Sequence, residues 1–373
     1  MSLYSGLRKR IEKMLAPADV AINGPRPWDI RVRNSRLYSR VFAQGSLGFG
    51  EAYMDGWWDS ESLDQLIYRL LRAGVKERVK SLTVFVAALK ARLVNCQSLQ
   101  RAFAVGERHY NIGNDLFQEM LDARMIYSCG YWKRAANLDE AQTDKLDLVC
   151  RKLHLAKGQR VLDIGCGWGG TARYMAEHYG VEVVGITVST AQAELAQQTC
   201  RNLPVEIRVA DYRDLKGSFD RIVSIGMFEH VGYKNYRTYF AKVAELLKED
   251  GLFLLHTIGG NTPAQRVDPW FDRYIFPNGM IPSSQQVCNG FEGLFVLEDW
   301  HNFGLDYDKT LMAWYDNFTR AWPQLEDRYD ERFRRMWTYY LLSCAGSFRA
   351  RDNQVWQVAL SRNGLPEGYD FPR

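Results

Sequence analysis

The sequence predicts an α/β protein with a parallel sheet, helices on both faces, and a second, smaller domain. Three observations predict this class. From about residue 153, short runs rich in β-branched residues alternate with runs of helical periodicity, which is the chain order of βαβ units. One strand-like run ends in a glycine-rich turn that leads into a helix, as at the ligand sites of open α/β sheets. The length of 373 residues exceeds one average domain.

Seven runs have the composition and length of strands. We predict them at Arg160–Ile164, Glu182–Ile186, Val205–Val209, Arg221–Ile225, Leu252–His256, Phe295–Asp299 and Val355–Leu360. Helical patterns lie between most of them, as at 170–178, 191–200 and 235–247. Two insertions, 261–282 and 307–348, are too long for ordinary loops, so we expect them to build a lid or a substrate chamber.

Residues 1–95 are predicted to form a small, mainly α-helical domain, and residues 96–373 the catalytic domain. Apolar residues at helical spacing run from Leu63 to Leu71, and the glycines at 45, 48 and 50 break an earlier helical pattern. Residues 75–94 have the clearest amphipathic pattern. This predicted helix either packs between domains or lies on a membrane surface.

Charge is unevenly distributed along the chain. Residues 1–100 hold 16 Lys and Arg against 9 Asp and Glu, a net charge of +7, whereas the rest carries −3. An anionic partner near the N-terminal part is therefore expected. No stretch approaches the roughly 20 apolar residues of a membrane-spanning helix. The seven cysteines form no Cys-x-x-Cys pair, which favours a reducing compartment and disfavours a disulfide framework or a zinc ribbon.

The strongest local pattern is the segment from Val161 to Gly170, a strand followed by a glycine-rich turn and a helix. Its glycines let the backbone approach a ligand closely. A dinucleotide site needs room for a pyrophosphate at the helix N-terminus, where Trp168 stands in this sequence. Asp163 precedes the first glycine and favours a cationic ligand. S-adenosylmethionine, with a sulfonium, an ammonium and no phosphate, is therefore the leading interpretation. A dinucleotide site and a purely structural turn are the alternatives.

The next two βα units supply polar residues for the rest of such a cofactor. After the second strand the usual ribose-binding carboxylate is missing, and Thr187 and Gln192 are the nearest polar substitutes. Asp211 and Tyr212 follow the third strand, where an adenine amino group is expected. The alternative is a pair of solvated loops that bind nothing.

Five runs carry a resemblance to a known family. They are His109–Asp115, Tyr127–Trp132, Gly226–Gly232, Tyr274–Gly279 and Asp299–Gly304. Over nearly its whole length the chain resembles the bacterial cyclopropane-fatty-acyl-phospholipid synthases. The resemblance implies a Rossmann-like class I methyltransferase with a seven-stranded, mostly parallel sheet and helical lid insertions.

The activity that the resemblance implies is methylene transfer from S-adenosylmethionine to the cis double bond of acyl chains in membrane phospholipids. A methyl group adds to the double bond, a carbocation results, and loss of a proton from the added methyl closes a cyclopropane ring. We expect a homodimer in the cytoplasm, held peripherally on the inner face of the membrane by anionic lipid, with no nucleic-acid partner and no metal. Branch-methyl transfer and a lipid-binding protein with a relict cofactor pocket are the rival interpretations.

Two candidate residues follow from position alone. Glu229 lies just past the fourth predicted strand and His256 at the end of the fifth, which places both at the cofactor crevice. The family binds bicarbonate as its general base, and the resemblance assigns that ion to Cys129, Glu229, His256, Tyr307 and the backbone of Ile258. His256 and Tyr307 can donate to the anion, and Glu229 can accept from its hydroxyl. The alternative is that Glu229 itself is the base.

The resemblance also implies cofactor contacts. Tyr127 and Ser128 match contacts to the methionine part of S-adenosylmethionine, and Gly165, Cys166 and Gly167 match the glycine loop.

Two features of the second insertion have either a functional or a purely structural interpretation. Cys344 is the family's other noted cysteine, but the reaction needs no covalent intermediate, so the alternative to an active-site role is a cysteine that lines the chamber. Aromatic residues recur near helical spacing at 307, 314, 315, 318 and 322. They are either ordinary core or walls that stabilise the carbocation and exclude water.

Overall fold

The computed structural model describes residues 3–75 and 113–373. Two short strands, β1 (Arg31–Val32) and β2 (Trp58–Asp59), pair in the N-terminal part. Seven further strands form the main sheet. They are β3 (Arg160–Ile164), β4 (Glu182–Thr187), β5 (Val205–Val209), β6 (Phe219–Ile225), β7 (Leu247–Gly260), β8 (Val296–Asn302) and β9 (Asn353–Ser361). Their order across the sheet is β5-β4-β3-β6-β7-β9-β8.

The sheet confirms the predicted fold class. Strands β5, β4, β3, β6 and β7 pair in parallel with their neighbours, so their carboxyl ends meet at one edge, which we call the carboxyl edge. Strands β8 and β9 are antiparallel, which makes the sheet mostly parallel. β3 and β5 have the predicted bounds. β7 begins at Leu247, earlier than the predicted Leu252. The prediction started too late because exposed Lys248, Glu249 and Asp250 interrupt the apolar pattern of the strand.

Alternation along the strands builds two cores, one on each face of the sheet. In β3, Leu162 and Ile164 belong to one apolar cluster, while Val161, the residue before Leu162, belongs to another. β4 repeats this pattern, with Val184 in the first cluster and Val183 in the second. Successive side chains of a strand point to opposite faces, so a sheet buried on both faces needs nearly continuous apolar runs.

Helices connect and cover the strands. Those of this part of the chain are α4 (Asn114–Met120), α5 (Leu138–Lys152), α6 (Gly170–Tyr179), α7 (Thr190–Thr199), α8 (Tyr236–Leu246) and α10 (Ser284–Phe291). Polar side chains fix several of their starts. Asn137 accepts from the Glu140 N–H at the start of α5, and Ser189 accepts from the Gln192 N–H at the start of α7. Such caps satisfy backbone donors that the first turn leaves unpaired.

Packing divides the described residues into two compact units. The first unit contains 3–75, 265–277 and 307–353, and the second contains 113–264, 278–306 and 354–373. Two segments of the predicted catalytic domain thus group with the N-terminal residues. The second unit holds the sheet described above.

The first unit is mainly helical. Its helices are α1 (Leu3–Leu15), α2 (Arg36–Met54), α3 (Leu63–Arg72), α9 (Pro269–Tyr274), most of α11 (Leu305–Leu325) and α12 (Glu331–Arg349). The predicted glycine break occurs at Gly45, where α2 has a non-helical backbone. Gly48 and Gly50 stay helical. A Cβ at Gly50 would lie 2.5 Å from the Trp270 ring, so that glycine serves close packing instead of a break.

Two predictions concern residues outside the described ranges: the amphipathic helix at 75–94, apart from its first residue, and the His109–Ile112 part of the first family run. Among the helices of the described residues, none has the length and apolarity needed to cross a bilayer.

Candidate active site

The glycine-rich turn lies where β3 ends at the carboxyl edge. Gly165, Gly167 and Gly169 all have positive φ, between 55° and 85°, a conformation that L side chains rarely adopt. The N–H groups of Gly165 and Cys166 both donate to the Ile186 carbonyl at 2.9 Å, which ties the turn to β4. A Cβ at Gly167 would meet no atom within 4 Å. The turn therefore offers open space directly beside its backbone, as a ligand cradle requires.

Asp163 is a buried carboxyl next to this turn. Its side chain is 1% exposed, and its Oδ2 accepts no hydrogen bond from the described residues. Burial raises the pKa of the Asp163 carboxyl to about 7, and the attraction of the Lys145 ammonium opposes that rise. An orphaned buried carboxyl of this kind fits the cationic groups of S-adenosylmethionine.

The segment that contains Tyr127, Ser128 and Cys129 is anchored to α5. Gln142 Nε2 donates to the Ser128 carbonyl at 2.8 Å, and Lys145 Nζ donates to Ser128 Oγ at 3.0 Å. Ser128 is therefore held by its backbone and by its side chain. Cys129 is fully buried, and its Sγ lies 3.2 Å from the Gly130 carbonyl oxygen.

A chain of aromatic contacts ties this segment to the glycine loop. The Tyr127 ring packs edge-on to Phe117, with ring centroids 5.1 Å apart, and Phe117 packs against Trp168 at 4.9 Å. The indole of Trp168 donates to Asn114 Oδ1 at 3.1 Å. Trp168, two residues before the start of α6, is thus held in place by packing and by a hydrogen bond. A bulky fixed side chain near a helix N-terminus disfavours the dinucleotide alternative.

The predicted ribose and adenine residues lie at the ends of β4 and β5. Thr187 Oγ1 donates to Gln192 Oε1 at 2.9 Å, and both side chains are buried. Asp211 is buried and pairs with Arg213 through both carboxylate oxygens. Tyr212 is also buried, which raises the pKa of its hydroxyl to about 12. In this arrangement the polar groups bond to one another.

Glu229 lies in the turn after β6, as predicted. Its Oε1 accepts from the Ile258 N–H at 2.7 Å, and its Oε2 accepts no hydrogen bond from the described residues. Burial raises the pKa of the Glu229 carboxyl to about 7, although the Ile258 N–H and the nearby Thr257 hydroxyl oppose the rise. The Ile258 backbone, which the resemblance assigns to bicarbonate, thus donates its N–H to Glu229.

His256 does not end its strand as predicted, because β7 continues to Gly260. It lies opposite Ile225, the last residue of β6, and is 2% exposed. Its carbonyl accepts from the Gly226 N–H at 2.9 Å, which brings the start of the turn that carries Glu229 onto β7. Burial, with the charges of Lys145 and Lys152, lowers the pKa of the His256 imidazole well below its ordinary value, so the ring is neutral. Gln357 Nε2 lies 3.3 Å from Nδ1. Since this amide donates to Nδ1, the ring proton resides on Nε2, which is a donor.

Tyr307 and Cys344 belong to the first unit. The Tyr307 ring packs on Trp314 and Phe348, with centroids 5.8 and 4.6 Å apart. Cys344 lies on α12, and burial raises the pKa of its thiol. A raised pKa disfavours the thiolate that a nucleophile needs, so the chamber-lining alternative is the better supported for Cys344. Trp314, Phe318 and Trp322 are buried, whereas Tyr315 is only partly so.

The sequence reasoning missed Gln142, Lys145 and Gln357. A signal for Lys145 was present, because it lies at helical spacing between Ala141 and Leu148 on the buried face of α5. A lysine inside an apolar stripe marks a buried charge that needs a partner. Gln357 carries no comparable signal within β9.

Several known proteins are similar to this chain over most of its length. The family model described as mycolic acid cyclopropane synthetase matches residues 97–358. The cyclopropane-fatty-acyl-phospholipid synthase of Escherichia coli K12 is 56% identical over 95% of this chain and 94% of its own length. A tuberculostearic acid methyltransferase of Mycobacterium tuberculosis is 31% identical over 90% of this chain and 83% of its own. The crystal structure of mycolic acid cyclopropane synthase CmaA1 with SAH and CTAB is 35% identical, with a TM-score of 0.64, over 69% of this chain and 97% of its own.

Proposed function

Because the chain belongs to the mycolic acid cyclopropane synthetase family, we propose that it transfers a methylene group from S-adenosylmethionine to the cis double bond of acyl chains in membrane phospholipids. The E. coli relative, named for a phospholipid substrate, is similar over nearly the full length of both chains. The observation that carries the chemistry is the burial of two polar side chains near the carboxyl edge, Glu229 in the turn after β6 and His256 on the neighbouring β7.

The reaction needs a methyl donor, an acceptor alkene and a base. The methyl carbon leaves sulfur and bonds to one alkene carbon, and S-adenosylhomocysteine is released. The neighbouring carbon then carries the positive charge until a proton leaves the added methyl and the ring closes. Asp163 and the glycine turn would hold the cationic donor, with Tyr127 and Ser128 at its methionine end and Thr187, Gln192, Asp211 and Tyr212 on the nucleoside side.

Bicarbonate, when bound, would supply the general base. Glu229 Oε2 is a free acceptor for its hydroxyl among the described residues, and the Nε2–H of neutral His256 is a donor for its oxygens. Glu229 would orient the ion, Ile258 would hold Glu229 through its N–H, and Cys129 would close the seat. A rigid, dry seat keeps the base directed at one proton and keeps water from capturing the carbocation.

The direct test uses the full chain, labelled S-adenosylmethionine and vesicles of phospholipid with cis-unsaturated chains. Mass spectrometry of the acyl chains should show a gain of one CH2 group with the double bond consumed as a ring. A methyl branch would support branch-methyl transfer instead, and no incorporation would refute both.

In buffer freed of carbon dioxide the rate should fall and return on addition of bicarbonate. An unchanged rate in that buffer would overturn the bicarbonate assignment.

We also propose that the protein docks on the inner, cytoplasmic membrane surface as a homodimer. The N-terminal part carries the excess positive charge. Lys9 and Lys13 on α1 are exposed, and the Arg10 guanidinium lies 5.8 Å from the ring of exposed Phe42. Each well-placed basic residue contributes about 1 kcal/mol toward an anionic surface. Binding to anionic vesicles should weaken as salt rises, and equal binding to neutral vesicles would contradict the idea. Light scattering after gel filtration would measure the dimer.

A further inference from the structure

Helix α5 carries a lysine that the proposed reaction leaves unexplained. Lys145 is 0% exposed, although lysine is almost never fully buried unless it is paired. It lies at helical spacing between Ala141 and Leu148, which are also buried. The carboxyls of Asp122 and Asp163 stabilise its charge. A charge retained in this position costs folding free energy, so its contacts indicate what it does.

The contact that matters is with Ser128. Lys145 Nζ lies 3.0 Å from Ser128 Oγ. An ammonium group has hydrogens but no acceptor, so it can only donate, and Ser128 Oγ must accept. The hydroxyl hydrogen of Ser128 is therefore left to donate in another direction. A serine hydroxyl can donate or accept a hydrogen bond, and the lysine ammonium leaves it as a donor toward any further partner.

The same helix also holds the Ser128 backbone. Gln142, one turn before Lys145, donates to the Ser128 carbonyl at 2.8 Å. Ser128 lies near the tip of β6, since a Cβ at Gly226 would be 4.0 Å from the Ser128 Cβ. The Ser128 hydroxyl is thus fixed in position near the carboxyl edge, and its hydrogen is available to donate.

We propose that Lys145 is a positioning residue for the carboxylate of S-adenosylmethionine. It fixes Ser128 as a hydroxyl donor to that carboxylate and supplies a buried positive charge behind it. Asp163, whose carboxyl interacts with the Lys145 charge, would face the cationic part of the cofactor. The amino-acid end is then recognised by a charge pattern of both signs. The proposal rests on the use of S-adenosylmethionine by this protein and needs no acyl substrate.

The test measures carboxylate recognition directly. Calorimetry gives the Kd of S-adenosylmethionine and of its decarboxylated analogue. The readout is the Kd of the analogue divided by the Kd of S-adenosylmethionine. In Lys145→Met the ratio should fall about tenfold, the loss expected for a hydrogen bond to a charged group. Any effect of Lys145 on the charge of Asp163 weakens the binding of both compounds and cancels in the ratio.

Lys152→Met is the matched control. Lys152 lies two turns further along α5 and is also 0% exposed, but its Nζ pairs with Asp299 at 3.2 Å. Both variants lose a buried ammonium from one helix, yet Lys152→Met should keep the wild-type ratio. The proposal is overturned if Lys145→Met keeps that ratio or if both variants lose it equally.

Two further variants separate the steps. Ser128→Ala should lower the ratio as Lys145→Met does, and the double variant should lose less than the two single losses combined, because the lysine acts partly through the serine. Additive losses would overturn that route. If the methionine variants do not fold, Lys145→Gln against Lys152→Gln gives the same comparison. All measurements exclude lipid, so a failure of acyl transfer refutes the proposed function alone.

Discussion

The carboxyl edge has two halves that treat polar groups in opposite ways. In the closed half, formed by Thr187, Gln192 and Asp211, side chains are buried and bonded within the protein. In the open half, formed by Asp163 and Glu229, each buried carboxyl has an oxygen that accepts no hydrogen bond from the described residues. Burial raises both carboxyl pKa values to about 7. Of these two sets of described residues, the open half is the one that lacks hydrogen-bond partners without a ligand.

This difference indicates which residues destabilise the folded protein in favour of binding and catalysis. A buried carboxyl without a full set of partners destabilises the folded state, and it persists where a ligand completes it. Substitutions in the open half should therefore reduce activity strongly and cost little stability. Substitutions in the closed half should do the reverse.

The largest effect is expected for Glu229→Gln. The amide keeps the size of the side chain and the acceptor for the Ile258 N–H, but it cannot take the place of a carboxylate that orients a base. The turnover rate should fall by about 10²- to 10⁴-fold. The Kd of S-adenosylmethionine should stay within about threefold. A variant that retains most of its turnover would remove Glu229 from the proposed seat.

The same variant should be more stable than the wild type at alkaline pH. The folded-state pKa of Glu229 is about 7, above its ordinary 4.5, so its ionisation weakens the fold as pH rises through that window. We expect Glu229→Gln to raise the free energy of unfolding by about 1–3 kcal/mol at pH 8 and by less at pH 5.5. Urea unfolding at the two pH values measures this. Equal stability at both would show that the carboxyl is well solvated.

His256→Leu should have the next largest effect. It removes the Nε2–H donor but fills the site with an apolar group, and the turnover rate should fall about 10²-fold. Because the imidazole pKa lies well below its ordinary value, the ring stays neutral and should contribute no inflection to the rate between pH 6 and 8. Gln357→Leu, which frees Nδ1, should cost about tenfold. A loss in Gln357→Leu as large as in His256→Leu would contradict an orienting role.

The sequence predicted the features that leave a periodic pattern and missed those that depend on contacts between distant residues. Strand positions came from runs of apolar residues, so β3 and β5 were predicted to the residue, and Glu229 followed from the end of β6. The strand end predicted at His256 was wrong, since β7 continues to Gly260. Contacts between side chains distant in sequence leave no period to detect, as for Gln357 beside His256. The grouping of 265–277 and 307–353 with the N-terminal unit depends on tertiary packing for the same reason.

Asp163→Asn should weaken S-adenosylmethionine binding about tenfold at pH 8, where the wild-type carboxyl is ionised and attracts the cationic cofactor. With a pKa of about 7, the carboxyl is mostly protonated at pH 6, so the two proteins should differ less there. Calorimetry at both pH values tests the sign. An effect independent of pH would mean that shape, and not charge, is recognised.

The smallest functional effect is expected for Thr187→Val in the closed half. Valine keeps the β-branched shape but removes the hydroxyl that donates to Gln192 and accepts from the Ser189 N–H at 3.2 Å. Two buried partners then lose a hydrogen bond, which should lower the free energy of unfolding by about 1–3 kcal/mol. The KM for S-adenosylmethionine should rise only about two- to fivefold, because Gln192 stays in place. Thr187→Ser, which keeps the hydroxyl, should restore most of the stability. If Thr187→Val instead leaves stability unchanged and raises KM a hundredfold, the hydroxyl serves the ligand and the two halves do not differ in kind.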